Sequence, residues 1–234
     1  MQFDDRCVMV TGASGNLGRA VERVFAARGA TLVLVGSRAE HLRRAFGDGD
    51  AQRMLAPVNL LDAAGVAAMV GAALARFGRI DVLCNLVGGF RMGTCAHETA
   101  DDDWNAMFDL NVRTMLHASA AVVPGMIAAG GGRIVNVGAF AAQKGVARMG
   151  AYVAAKAAVM RITETMSAEL RDRAINVNCV LPTIIDTPEN RAAMSGADPT
   201  RWVAPEDLAN VIAYLASDEA RAVHGAALPV TGLA

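Results

Sequence analysis

The sequence of 234 residues is short of several things, and each shortage excludes a class of function. Lysine occurs only twice, at Lys144 and Lys156, and arginine does nearly all other basic work. Acidic and basic residues almost balance at a net charge of −1, which leaves no basic face for a nucleic acid. No apolar run approaches the ~20 residues of a membrane span. The apolar stretch near the start is too short, and too closely flanked by Asp4 and Asp5, for a secretion signal. Four cysteines, Cys7, Cys84, Cys95 and Cys179, show no metal-ligand spacing. Three of them lie in apolar strand-like runs, where a reduced thiol behaves as a small hydrophobe. The expectation is a cytoplasmic protein that acts on a small molecule, with no metal, membrane or nucleic-acid partner.

What the chain does have is hydrophobic residues, 53% of the total, enough for a large core. Short apolar runs, rich in β-branched residues, recur at 7–11, 31–36, 53–60, 79–88, 133–137, 175–182 and 226–231. They are apolar throughout rather than alternating, as strands buried on both faces are. Between them lie helical stretches, at about 15–29, 40–46, 63–77, 101–129, the segment ending near Arg173, and 205–217. Repeated strand–helix units predict an α/β fold of the Rossmann type: a doubly wound parallel sheet of about seven strands, helices on both faces, in a single domain spanning 1–234. A long loop, 183–203, is punctuated by Pro188 and Pro199 and has the length of a lid.

Two stretches carry chemistry. The first strand runs straight into Thr11-Gly12-Ala13-Ser14-Gly15-Asn16-Leu17-Gly18 and then a helix. That is where a dinucleotide pyrophosphate rests on the backbone N–H groups of a helix N-terminus, and glycines permit the tight turn. The second stretch, 136–156, ends in Tyr152 and Lys156. Residues four apart share a helix face, so an ammonium lies beside a phenol. A neighbouring positive charge favours phenolate, and the expectation is a lowered Tyr152 pKa and a usable proton donor.

With these motifs in place, the chain resembles the short-chain dehydrogenase/reductase family over essentially its whole length. The family turn is T-G-x-x-x-G-x-G; here Asn16 stands at the middle glycine position, and Gly12, Gly15 and Gly18 form a shifted spacing. By resemblance the cofactor site includes Gly12, Ser14, Gly15, Asn16, Leu17 and Gly18, then Asn59 and Leu60 after the third strand. It continues with Asn85 and Gly88 from the family's N-N-A-G stretch, and with Pro182, Ile185 and Thr187 after the sixth strand. Gly36-Ser37-Arg38 ends the second strand without the acid that would bind an adenosine 2′-hydroxyl. Ser37 and Arg38 suit a 2′-phosphate instead, so NADP(H) is preferred over NAD(H). Tyr152 and Lys156 match the family's catalytic pair, Lys156 also holding the nicotinamide ribose, and Asn111 matches the Asn of its proton relay. The resemblance also implies a homodimer or homotetramer, through the long helices after the fourth and fifth strands.

One family landmark is missing. Thirteen residues before the tyrosine the family carries a catalytic serine, and this chain has Ala139. Quinonoid dihydropteridine reductases also carry alanine there. The chain is similar to them at Val87-Gly88-Gly89-Phe90, at Asp186-Thr187-Pro188 and at Trp202. The resemblance implies hydride transfer from NADPH to a small unsaturated acceptor, pterin-like in shape, with Phe90, Ala139, Gln143 and Met149 at the substrate. Alternatives are a 3-oxoacyl or other ketone reductase, with water or Gln143 covering for the serine, and a cofactor-binding regulatory protein.

Overall fold

The apolar runs become the central layer because neither face of them tolerates water. In the computed structural model, which describes residues 1–233, they form one seven-stranded parallel sheet. The strands are β1 (Cys7–Thr11), β2 (Thr31–Gly36), β3 (Arg53–Pro57), β4 (Val82–Asn85), β5 (Gly132–Val137), β6 (Ile175–Pro182) and β7 (Ala227–Val230), in the order β3-β2-β1-β4-β5-β6-β7. Every residue of β1, β4 and β6 is buried. The expected runs at 53–60 and 79–88 extend beyond their strands, because both end in chain that leaves the sheet to build the site.

Among the described residues eight α-helices accompany the sheet: α1 (Asn16–Ala26), α2 (Ala39–Phe46), α3 (Ala63–Phe77), α4 (Asp101–Phe108), α5 (Thr114–Ala128), α6 (Gly150–Leu170), α7 (Pro188–Ala193) and α8 (Pro205–Leu215). Alternate residues of the strands face opposite layers. Val8, Val10, Leu32 and Leu34 pack with Val21 and Phe25 of α1 and Leu208 and Ile212 of α8. Met9, Val33 and Val35 pack with Val66 of α3 and Val122 of α5. A third cluster, Met107, Met115, Ala139, Val159, Met160 and Leu181, fills the space where α4 and α6 meet the far half of the sheet.

Two features were not foreseen. The stretch expected as one helix at 101–129 is continuous but contains a π-helical turn, Asp109–Arg113, between α4 and α5. The loop 183–203 contains α7, started by Pro188 and capped by Thr187, whose hydroxyl accepts from the Asn190 N–H at 3.2 Å. The loop is also fastened at its base. The Asp186 N–H donates to the Val203 carbonyl at 2.8 Å, and the Val203 N–H to the Ile184 carbonyl at 2.9 Å.

Candidate active site

The sheet order reverses between β1 and β4, so the crossovers on either side diverge and leave a crevice at the C-terminal ends of these strands. The glycine turn opens onto it. Gly12 has φ +66°, and a Cβ on Gly18 would lie 2.3 Å from the Gly12 carbonyl oxygen, so a side chain there would break the turn. Thr11 ties the turn to the neighbouring strand end: its hydroxyl donates to the Cys84 carbonyl at 3.3 Å and accepts from the Leu86 N–H at 3.0 Å. The first turn of α1 holds no acidic residue, and no side chain caps it. Its free N–H groups and the helix dipole suit an anion, so the turn fits a dinucleotide pyrophosphate.

The reacting end lies across the crevice. On α6, Lys156, Val159, Met160, Thr163 and Ser167 form one buried stripe, which turns Lys156 inward and leaves Tyr152 one turn earlier at the rim. Thr163 anchors this stripe. The Asn136 amide donates to its hydroxyl at 2.9 Å, and the hydroxyl donates to the Val159 carbonyl at 2.8 Å. Lys156 Nζ donates to the Val137 carbonyl at 2.8 Å. Asn111 is buried on the π-helical turn. Its Oδ1 accepts from the Gly89 N–H at 3.1 Å, while Nδ2 donates to the Met107 carbonyl at 2.9 Å. The tips of Lys156 and Asn111 both flank Gly88: a Cβ there would lie 2.9 Å from Nζ and 2.8 Å from Oδ1.

The electrostatics correct one expectation. Burial pushes the Tyr152 phenol up to about 12 rather than down. Burial also pulls the Lys156 ammonium down to about 8, partly offset by the neighbouring Cys179. Helical spacing places the two side chains on one face, but the ammonium is directed to the Val137 carbonyl. The phenol ring meets Phe90 edge-on, with centroids 4.9 Å apart. In this state Tyr152 is a protonated phenol at neutral pH, and a weaker acid than a free one.

Other expected residues fall in mixed places. Ser37 and Arg38 are exposed at the end of β2. Asn59 is exposed and its Oδ1 accepts from the Leu61 N–H at 3.0 Å, closing a turn, while Leu60 is buried. Ser14, Gly15 and Leu17 line the glycine turn, and Pro182 ends β6 in the core. Ile185 packs against the core, and Thr187 serves as the α7 cap. The Asn85 side chain is not turned to the crevice. It is buried, donating to Asn136 Oδ1 at 2.9 Å and the Ser119 hydroxyl at 3.3 Å, because its position in β4 directs it against β5 and α5. Gln143 does not reach toward Tyr152 either. Its amide donates to the Phe140 carbonyl at 3.3 Å, three residues back, and the side chain is exposed. Met149 caps the start of α6, half-buried, and Phe90 is 55% exposed. Ala139 is buried in the cluster of Met160, Leu181 and their neighbours, against which Tyr152 also packs.

Two contacts were missed. Gly88, expected at the cofactor, also lies between the side-chain tips of Lys156 and Asn111. Glu189 of α7 accepts from the Asn16 amide at 2.7 Å, so the Asn16 side chain is engaged by the 183–203 loop. The signal for Gly88 was the doubled glycine, Gly88-Gly89, beside a strand end. Nothing local marked Glu189. Among the described residues, no group of three or more His, Cys, Asp or Glu side chains could hold a metal, and no helix is long and apolar enough to cross a membrane.

The sequence profile described as short chain dehydrogenase matches residues 6–197. The chain belongs to the short-chain dehydrogenase/reductase family. As a member of the family it is an oxidoreductase. It is 34% identical over 240 residues to cis-4-hydroxycyclohexanecarboxylate dehydrogenase of Sinomonas cyclohexanicum, covering 98% of this chain and 96% of that protein. It is 30% identical over 243 residues to the 3-oxoacyl-[acyl-carrier-protein] reductase FabG of Escherichia coli, covering 99% and 98%. Among solved structures, gluconate 5-dehydrogenase of Burkholderia cenocepacia, in complex with NADP and tartrate, superposes with a TM-score of 0.90 at 28% identity, covering 99% of this chain and 95% of that one. An NAD+-bound xylitol dehydrogenase superposes with a TM-score of 0.88 at 26% identity, covering 99% and 100%. Short-chain dehydrogenase/reductase neighbours thus hold either nicotinamide dinucleotide, and a nicotinamide cofactor fits the crevice described above.

Proposed function

We propose that this enzyme reduces a small, flat, conjugated acceptor, of the quinonoid dihydropterin kind, using NADPH. The observation that carries the reading is Ala139, a methyl group in an apolar cluster where a carbonyl reductase needs a hydroxyl. A missing donor of this kind costs a ketone reduction roughly 10²–10³ in rate. An acceptor whose electrons delocalise over a ring has no such localised alkoxide to stabilise. The apolar rim, Phe90 edge-on to Tyr152 and Phe140 40% exposed, suits the face of a ring.

The dinucleotide, bound on the glycine turn with Ser37 and Arg38 at its 2′-phosphate, supplies the hydride. Tyr152 donates the proton from its phenol. Lys156 holds the nicotinamide ribose and supplies positive charge behind the phenol. Asn111 fixes the relay through which the proton is replaced, and Gly88 leaves the space in which the two side chains meet. A homodimer or homotetramer is the proposed assembly, and Leu116 and Ile127 of α5, each 38% exposed, offer apolar surface for it.

A second reading, reduction of a ketone or oxidation of an alcohol, is favoured by the relatives, which are named for such substrates. One experiment separates the two. NADPH consumption is followed with quinonoid dihydropterin, a β-keto thioester and a cyclic ketone, in the wild type and in Ala139→Ser. The expected result is turnover of the quinonoid compound by the wild type, with no gain from the new hydroxyl. No quinonoid turnover, together with a gain of about 10² in ketone reduction by Ala139→Ser, would overturn it. Titration with NADH and NADPH tests Ser37 and Arg38, and tighter NADH binding would reverse the cofactor preference.

A further inference from the structure

We propose that Glu189 belongs to the cofactor site, as an internal anion that stands beside the N-terminus of α1, held there by the Asn16 amide, and is displaced when the dinucleotide binds. The proposal rests on the reading that the turn holds a dinucleotide. Three observations meet here. The first turn of α1 has no acidic residue and no capping side chain, so its positive end is uncompensated within its own sequence. A carboxylate of the 183–203 loop lies beside that end: Glu189 Oε2 accepts from the side-chain Nδ2 of Asn16, the first residue of α1, at 2.7 Å. Arg19, one turn later, donates to Asn16 Oδ1 at 2.8 Å and fixes the amide with its donor end toward the carboxylate.

The geometry explains an otherwise odd residue. Asn16 stands where the family turn has a glycine, and a glycine has no side chain with which to hold Glu189. The Glu189 carboxyl is held below the usual range, first by its own backbone N–H and then by Thr187, Asn16 and the charge of Arg19, so it is an anion at neutral pH. Two anions cannot share one helix terminus without repulsion. Because Glu189 lies on α7 within the lid, its release couples cofactor entry to freedom of the segment between the fastened ends Asp186 and Val203.

The test is the dissociation constant for NADPH in the wild type, Glu189→Gln and Glu189→Ala, measured calorimetrically at low salt. Glu189→Gln keeps the shape and removes the charge, and the expected result is about 2–5-fold tighter binding, the size of one charge at a helix terminus. Glu189→Ala is expected to tighten binding at least as much, and raising the salt should shrink both gains. Glu219→Gln, which removes a charge paired with the N-terminal amine, is the control and should leave binding unchanged. Unchanged or weaker NADPH binding in both Glu189 variants would overturn the proposal, the weaker case meaning that Glu189 clasps the lid over bound cofactor. A wild type that binds neither NADPH nor NADH would instead overturn the dinucleotide reading, and this proposal with it.

Discussion

At the N-terminal ends of the strands a cleft of about 500 Å³ is lined by Arg6, Arg79, Asp81, Arg133 and Asp218 among others. At the C-terminal ends lies the candidate active site, with far fewer charges. The cleft has the volume of a ligand site, yet its central charges are mutually occupied. Arg79 grips Asp81 through both carboxylate oxygens, and Asp81 also accepts from the Cys7 N–H at 2.9 Å. Asp218 takes Arg6 at 2.6 Å and Arg133 at 3.4 Å. At the other end a lysine is buried, with a half-buried phenol one turn away and no carboxylate paired to it, at a cost visible in the Lys156 pKa of about 8. The difference teaches that volume is a poor guide to chemistry. Groups held in unfavourable states, beside uncapped backbone donors, locate the working end.

Three substitutions sharpen or break that comparison. The largest effect is expected from Tyr152→Phe, which removes the proton donor and nothing else. Turnover should fall by about 10²–10⁴ while dinucleotide affinity, measured by titration, stays within a few-fold. Retained turnover would remove the phenol from the mechanism. Next is Gly88→Ala, whose added methyl must push aside the tips of Lys156 and Asn111. Steady-state kinetics should show kcat lowered by about 10–100-fold, with thermal stability nearly unchanged, as expected for misplacing a working group. An unaltered kcat would mean that Lys156 and Asn111 do not need their meeting point. The smallest kinetic effect belongs to the opposite end. Asp81→Asn should cost about 1–3 kcal/mol in denaturant unfolding, toward the lower figure because Arg79 is half exposed, and should leave kcat alone. Lost activity in a folded Asp81→Asn protein would show that the lower cleft participates after all.

How far could all this be read from the residues? The strands could, because an unbroken apolar run such as that of Cys7–Thr11 or Thr31–Gly36 admits little except a strand buried on both faces. The glycine turn and the Tyr152–Lys156 pair could, because their spacing is itself the chemistry. The orientation of individual side chains could not. Asn85 looks like a crevice residue from its place at a strand end, but register with Asn136 turns it into the core. The raised phenol pKa was not legible either: spacing reports nearness along a helix, while the burial that raises it depends on how the chain packs around the ring. Helix α7 is too short to show a period, and Glu189 meets Asn16 across 173 residues of chain.

The π-helical turn has a consequence for counting. The buried stripe through this helix runs Met107, Asn111, Met115, Ser119, Val122, Met126. Its five steps span 19 residues from first to last, where a regular helix would use about 18. The helix therefore carries one residue more than its pitch, a phase slip of about 100° taken up between Asp109 and Arg113. Without the slip, either the first half or the second could face the sheet, but not both. With it, the stripe stays in phase from end to end, and the extra residue falls where the Asn111 amide turns to the Gly89 backbone beside Gly88.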